Sequence, residues 1–328
     1  MNYKLFFLAI ALIIVACQSE PQVKTEKVLA KVTSQQAAAR TETKIAPVYA
    51  SYDYGMTWKP LHDIFHDSVG VARLGKIDDQ IIVSTFDAGL FLGQASEKKW
   101  QQIGADLPQK QINALHVSSG TIFVGLYRNG IYKSSDKGAT WASMNHDLKD
   151  LRVQSILAHQ EKVFVGTDSG IFSYSEQKES WQHLFAGVQV NSLSADSNKM
   201  IAATNKGMLL SKDDGLSWQW IRQEGAVFNA MILQDGALMS SQGSDLYRSK
   251  NEGATWDELF YFPSSKFNIF KTAQLDQTVI MTNRNGVYRS DDSGNTWFQT
   301  FQYTDLPFSE LFADPTDRII YASGMSGC

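Results

Sequence analysis

An eight-residue string recurs along this chain, and its spacing constrains the fold more than any other feature. It reads SYDYGMTW at 51–58, SSDKGATW at 134–141, SKDDGLSW at 211–218, SKNEGATW at 249–256 and SDDSGNTW at 290–297. Two degenerate copies, GQASEKKW ending at Trp100 and YSEQKESW ending at Trp181, fill the gaps. The seven tryptophans that close these strings are 42, 41, 40, 37, 38 and 41 residues apart. A unit of this size cannot bury its apolar face alone, so neighbouring units must stack. A reacting group is usually needed once, whereas a group present in every unit belongs to the unit's construction.

Each unit contains four short apolar or β-branched segments bounded by turn residues. At 112–145 they are INALHV, TIFVGLY, GIYKS and WASMN; at 227–260 they are VFNAMIL, ALMSS, DLYRS and WDELF. The pattern predicts a four-stranded antiparallel blade. After Trp297 only FSELFAD and RIIYAS remain, which is half a blade. Residues 47–63 hold the other half, PVYAS and WKPLHD. The two orphans predict one composite blade. The expected fold is all-β, a seven-bladed β-propeller closed by N-terminal strands pairing with the C-terminal half-blade. Closure removes the exposed sheet edges that an open array would leave.

The recurring string is expected at the hairpin between third and fourth strands. Its Ser and Asp bond turn backbone, its Gly supplies positive φ, and its Trp packs between sheets. This pattern resembles the Asp-box, or BNR repeat, of sialidases, sortilin-type receptors, xyloglucan-hydrolysing enzymes and photosystem II assembly factors. The resemblance covers about 47–327 and implies a propeller. It implies no single activity, because those families share the repeat and differ in function.

The N-terminal residues read differently. Lys4 precedes LFFLAIALIIV at 5–15, an apolar run too short to span a bilayer stably. It ends in IVAC at 14–17, which resembles a bacterial lipobox. The resemblance implies a lipoprotein signal peptide at 1–16, cleavage before Cys17 and diacylglycerol on its sulfur. An ordinary signal peptide with an incidental cysteine is the alternative. Lipidation implies the bacterial cell envelope, at the periplasmic side of the outer membrane or at the cell surface. An acylated Cys17 would leave Cys328 without an intramolecular disulfide partner and would exclude a two-cysteine zinc site. Residues 17–46, rich in Gln, Thr, Lys, Glu and Ala, are expected to be a flexible tether, with the propeller at 47–328. The chain's formal charge of −4 offers no basic face for nucleic acid.

Ligand sites of propellers favour the face carrying the turns between second and third strands. Those turns are FDAG, YRNG, TDSG, TNKG, QGSD, NRNG and SGMSG, beginning at 86, 127, 167, 204, 242, 283 and 323. The candidate ligand-binding residues at the channel mouth are Asp87, Tyr127, Arg128, Asp168, Lys206 and Arg284. With Asp245, the charged ones alternate in sign around the ring, an order that would allow neighbouring blades to neutralise one another. The aromatic links LFYFPSSKF at 259–267 and FQYTDLPF at 301–308 would add an apolar patch.

No catalytic residue is assigned. The sialidase constellation requires an Arg-Ile-Pro motif, which is absent, and an arginine cluster to which Arg128, Arg152, Arg222 and Arg284 cannot be aligned. Tyr127, Tyr261 and Tyr303 are equally unassigned. A glycosidase pair would need Asp87 and Asp168 to lie roughly 5 to 9.5 Å apart; both read more simply as turn formers. His62 and His66 lack a third metal ligand in sequence, and neither a metal nor a cofactor is expected. The expected function is a non-catalytic, lipid-anchored envelope scaffold that binds a protein or glycan. It would be held to the membrane through Cys17 and would have no nucleic-acid partner. The alternative is a carbohydrate-active enzyme, an exo-sialidase-like or other glycoside hydrolase.

Overall fold

A computed structural model describes residues 48–61, 70–94, 100–261, 269–302 and 308–324. The expected signal peptide and tether, with Cys17, and His62, His66, Phe262, Tyr303 and Cys328 lie outside them. Among the described residues all regular structure is strand. Seven antiparallel sheets of four strands form a ring. Blade one is Val71–Ile77, Gln80–Thr85, Leu90–Gly93 and Trp100–Ile103. The first strands of blades two to seven are Ile112–Ser118, Val153–His159, Val190–Ala195, Asn229–Ile232, Lys271–Leu275 and Phe308–Asp314. Successive first strands lie against one another and line the central channel.

Blade seven is the composite that the two half-repeats predicted. Phe308–Asp314 and Ile319–Gly324 are its inner strands, and Val48–Ser51 and Lys59–Pro60 its outer ones. Val48 pairs with Ser323, and Ser51 with Ile320, so the chain ends meet in one ladder. Side chains seal both seams. Arg289 of blade six donates to the carbonyls of Asp53 (3.0 Å) and Tyr54 (2.6 Å), and Tyr54 Oη donates to Asp276 (3.0 Å). On the other side Lys76 of blade one pairs with Asp314 and Asp317.

The repeated box is a rigid turn. In SDDSGNTW, Ser290 Oγ accepts from Gly294 N (2.7 Å) and donates to Asp292 (2.8 Å). The Asp292 carboxylate then accepts from Thr296 N and from Thr296 Oγ1. Ser293 and Gly294 both have positive φ, 57° and 93°. Trp297, fully buried, donates from Nε1 to Gly294 O (2.8 Å). The boxes at 51–58, 134–141 and 211–218 repeat these bonds. At 249–256 Asn251 replaces the aspartate: its Oδ1 accepts from Thr255 N (2.9 Å), and its Nδ2 donates to Thr255 Oγ1 (2.8 Å). Consecutive blades are coupled through these turns, since Arg248 of blade five donates to Ser293 O and Asn295 Oδ1 in the box of blade six.

Two expected fourth strands are shorter than the sequence suggests; WKPLHD yields Lys59–Pro60 among the described residues. WASMN yields only Ala142–Ser143. Beyond it Asn145 replaces backbone pairing with its side chain, accepting from Ile131 N (2.8 Å) and donating to Asn129 O (2.9 Å). Gly130 leaves room for this, as a Cβ there would lie 1.9 Å from Asn145 Oδ1.

Candidate functional site

The turns between second and third strands share a face with the links that enter each first strand. Backbone bonds join them: Phe86 N to Gly70 O, Tyr127 N to Gln111 O, Asn205 N to Gln189 O, and Ile269 N to Gly243 O. This face surrounds the channel mouth, and the boxes lie on the opposite one. A second device shapes the mouth. The register shifts immediately after the first residue of five inner strands, between Val71 and Arg73, Ile112 and Ala114, Val153 and Ser155, Val190 and Ser192, and Phe308 and Glu310. Such bulges insert one unpaired residue and re-aim its neighbours. Here the inserted residues are Ala72, Asn113, Gln154, Asn191 and Ser309. Five blades thus carry four kinds of side chain at equivalent places, Asn occurring twice.

The six sequence-derived candidates are all in these turns, but they are not brought together as one cluster. Tyr127 and Arg128 are exposed, with the guanidinium 4.9 Å from the ring centroid, a cation–π arrangement. Arg128 has φ of 61°, the left-handed conformation, at the hairpin tip. Asp168 does not pair with either neighbouring turn. It accepts from Gln154 Nε2 (2.7 Å) and forms an ion pair with Arg152 (3.3 Å), a residue of the incoming link. Lys206 donates from Nζ to Gly187 O (2.9 Å). Asp245 accepts from Ser244 and Tyr247 hydroxyls. Asp87 and Arg284 are exposed. Among the described residues no ion pair joins one of these turns to the next. Arg128, Asp168, Lys206 and Asp245 are each answered within their own turn, strand or incoming link.

Arg152 is therefore a more central residue than its turn neighbours. It also bonds Asp150 through Nε (3.1 Å). Burial pushes the Asp150 carboxyl up, but the Arg152 backbone N–H, the Ser169 hydroxyl and the Arg152 guanidinium outweigh it and hold the group below the usual carboxylate range. Arg222, across from the turn at 204–207, lies 4.0 Å over the Tyr247 ring and 5.6 Å from that of Trp256.

Two features of the mouth had no signal in the turn sequences. Phe228, at the entry to blade five, is 52% exposed, and Leu151, in the link into blade three, is also exposed on this face. Arg73, Lys271 and Glu310 converge from blades one, six and seven. All occupy strand starts, so a search of inner-strand entries would find them where a search of turns does not. Among the described residues no group of three His, Cys, Asp or Glu is placed to hold a metal.

No protein-family model matches the chain, and no curated protein matches its sequence. Solved structures do match its fold. YCF48 bound to a D1 peptide superposes with a TM-score of 0.65 at 16% identity, covering 86% of this chain and 98% of that one. A GH74 xyloglucanase from Xanthomonas campestris gives 0.64 at 12% identity, covering 83% of this chain and 54% of that one. The extracellular domain of BT4673 from B. thetaiotaomicron gives 0.63 at 13% identity, covering 79% of this chain and 39% of that one. The class is a seven-bladed β-propeller, and at these identities the likeness is one of fold.

Proposed function

We propose that this chain is a lipid-anchored recognition propeller of the bacterial cell envelope, of Asp-box repeat type, that binds an extended polypeptide segment of an envelope protein at its channel mouth. The observation that carries this reading is the contrast within each blade. The box turn repeats its bonds, while equivalent places at the mouth vary in side chain, from Ala114 and Ser155 to Lys271, Glu310 and Arg73. Exposed Phe228, Phe86 and Tyr127 offer apolar contact, and Arg128, Arg152 and Arg284 offer donors around them. Extended chains bring unpaired backbone groups and alternating side chains, which suit a ring of varied polar and aromatic positions. The same fold in YCF48 accommodates a D1 peptide. The lipobox at 14–17 supports attachment through Cys17, with 17–46 as the tether that gives the mouth reach above the membrane.

Affinity capture from envelope membranes, using the full chain with its tether, tests the reading. Wild type should enrich a defined protein, and Arg128→Glu with Arg284→Glu should reduce that enrichment without changing the melting temperature. Cys17→Ser should move the protein from the membrane to the soluble fraction. Turnover of a fluorogenic sialoside or of xyloglucan, abolished by Asp87→Ala or Asp168→Ala, would replace this reading with a glycosidase.

A further inference from the structure

Equivalent positions near the entry of the seven inner strands divide the ring into two arcs. In blades two, three and four the residue is Ala114, Ser155 or Ser192, and the residue directly opposite on the second strand is Gly125, Gly166 or Ala203. In blades five, six, seven and one the residue is Asn229, Lys271, Glu310 or Arg73, and the opposite residue is Ser241, Thr282, Ser323 or Ser84. One arc is small. The other is charged or polar, and each of its four positions is backed by a hydroxyl. All four hydroxyls are buried, with no hydrogen-bond partner among the described residues. Directly opposed residues project to the same side of a sheet, so these hydroxyls adjoin the charged side chains.

The charges are unevenly matched. Glu310 Oε2 lies 3.5 Å from Arg73 Nη1, and Oε1 lies 3.7 Å from Lys271 Nζ. Charge-assisted hydrogen bonds are usually about 2.7–2.9 Å, so neither cation is fully engaged. Arg73 also donates from Nη1 to Ala72 O (2.6 Å), while Lys271 has no hydrogen bond among the described residues. The Glu310 side chain is 6% exposed; those of Arg73 and Lys271 are 34% and 31% exposed. The buried carboxylate thus lies beneath two partly open cations, and the trio carries one positive charge in excess. The exposed rim charges nearest to it in blade order, Arg284 and Asp87, cancel.

We infer that this arc is an anion seat, in which Arg73 and Lys271 take the carboxylate of an acidic residue in the bound polypeptide. A single net charge suits a monoanion. Exposed Phe228 lies in the adjoining blade, placed for an apolar neighbour of that residue. Ser323, directly opposite Glu310 and unpartnered, is the donor available to Glu310 when a guest draws the cations outward. The seat rests on the recognition role proposed above and names the chemistry it selects.

The sign of one substitution separates this seat from a merely structural ion cluster. Glu310→Gln removes the competing carboxylate and should strengthen anion binding, whereas a site for a cationic guest would be weakened. The probes are the capped dipeptides acetyl-Glu-Phe-amide and acetyl-Gln-Phe-amide, added to the full chain at matched ionic strength. The readout is labelling of Lys271 by an amine-reactive ester, followed by mass spectrometry and normalised to each variant's rate without probe. The Glu dipeptide should slow labelling roughly threefold and the Gln dipeptide should not, because a bound carboxylate favours the protonated amine. Protection should increase in Glu310→Gln and vanish in Arg73→Met. Equal labelling with both dipeptides overturns the seat, as does weaker protection in Glu310→Gln. If a variant fails to fold, the comparison of the two dipeptides on wild type still decides. Capture of an envelope protein by a chain whose Lys271 ignores both probes overturns the seat and leaves the recognition role. Protection of Lys271 in a chain that captures nothing upholds the seat and overturns that role.

Discussion

The two faces of the propeller differ in kind: one repeats from blade to blade and the other varies. On the box face, the boxes at 51–58, 134–141, 211–218 and 290–297 make the same set of bonds, and Asn251 reproduces its geometry with a different donor pattern. On the mouth face, equivalent positions carry Ala72, Asn113, Gln154, Asn191 and Ser309, and the row beside them changes from Ala114 to Lys271 to Glu310. Sameness is what stacking requires, because each box packs on the preceding blade: a Cβ on Gly138 would meet Ile103, and one on Gly253 would meet Ile221. Difference is what the proposed recognition of one partner requires, because an identical ring would read every segment alike.

The largest test of this division is removal of the seam. Deleting 48–61 takes away the outer half of blade seven and exposes the edge of Ile319–Gly324. The melting temperature should fall by roughly 10 °C or more, or the cooperative transition should be lost. An unchanged melt would show that the ring does not depend on its composite blade.

Next in size is Trp297→Ala. The ring is fully buried and its N–H is bonded, so the loss should be about 3–5 kcal/mol in denaturant unfolding. Trp256→Ala should cost less, since its Nε1 has no partner among the described residues and its ring is only partly buried. Equal losses would mean that the two boxes contribute alike despite their geometry.

Smaller effects are expected from the box aspartates. Asp292→Ala should cost about 1 kcal/mol through lost turn bonds, and Asp292→Asn less, following the Asn251 precedent. Acid should act on the same groups. The Thr140 hydroxyl and backbone N–H, with the Ser134 hydroxyl, hold Asp136 down to about 2, and Asp213 is lowered by the equivalent bonds. Asp53 and Asp292 are also lowered, their turn bonds outweighing burial, which pushes the other way. The unfolded chain therefore takes up these protons first. The stability they contribute is complete above about pH 4 and is lost as pH falls toward about 2. Unfolding followed across that interval should weaken less steeply in Asp136→Asn.

The smallest stability change should accompany the largest functional one. Phe228→Ala alters a side chain that is 52% exposed and should shift stability by under about 0.5 kcal/mol while reducing capture severalfold. Full capture by this variant would move the contact to another part of the mouth.

Much of the architecture was legible because it is periodic. The tryptophan spacing, the four apolar segments and the two orphan halves led to the seven blades and to the composite closure. The turn chemistry of Ser, Asp and Gly was equally readable, since it is local. The candidate site was legible only in part. Position in the turn placed Asp87, Tyr127, Arg128, Asp168, Lys206 and Arg284 on the mouth face, yet their partners were not readable. The regular alternation of charge suggested neutralisation between blades. Instead Asp168 pairs with Arg152 and Gln154, and Arg128 stacks on Tyr127.

By itself the sequence determined the repeat, the number of blades, the hairpin built by each box and the need for the chain ends to meet. These follow from short-range backbone preferences and from apolar faces that must be covered. Tertiary structure alone decided which entry residues share the mouth. Arg73, Lys271 and Glu310 are far apart along the chain, and they meet only because the ring closes. A bulge also shifts the register just before Arg73 and just before Glu310. A one-residue shift in register reverses which side of a sheet a side chain occupies, and no local pattern records it.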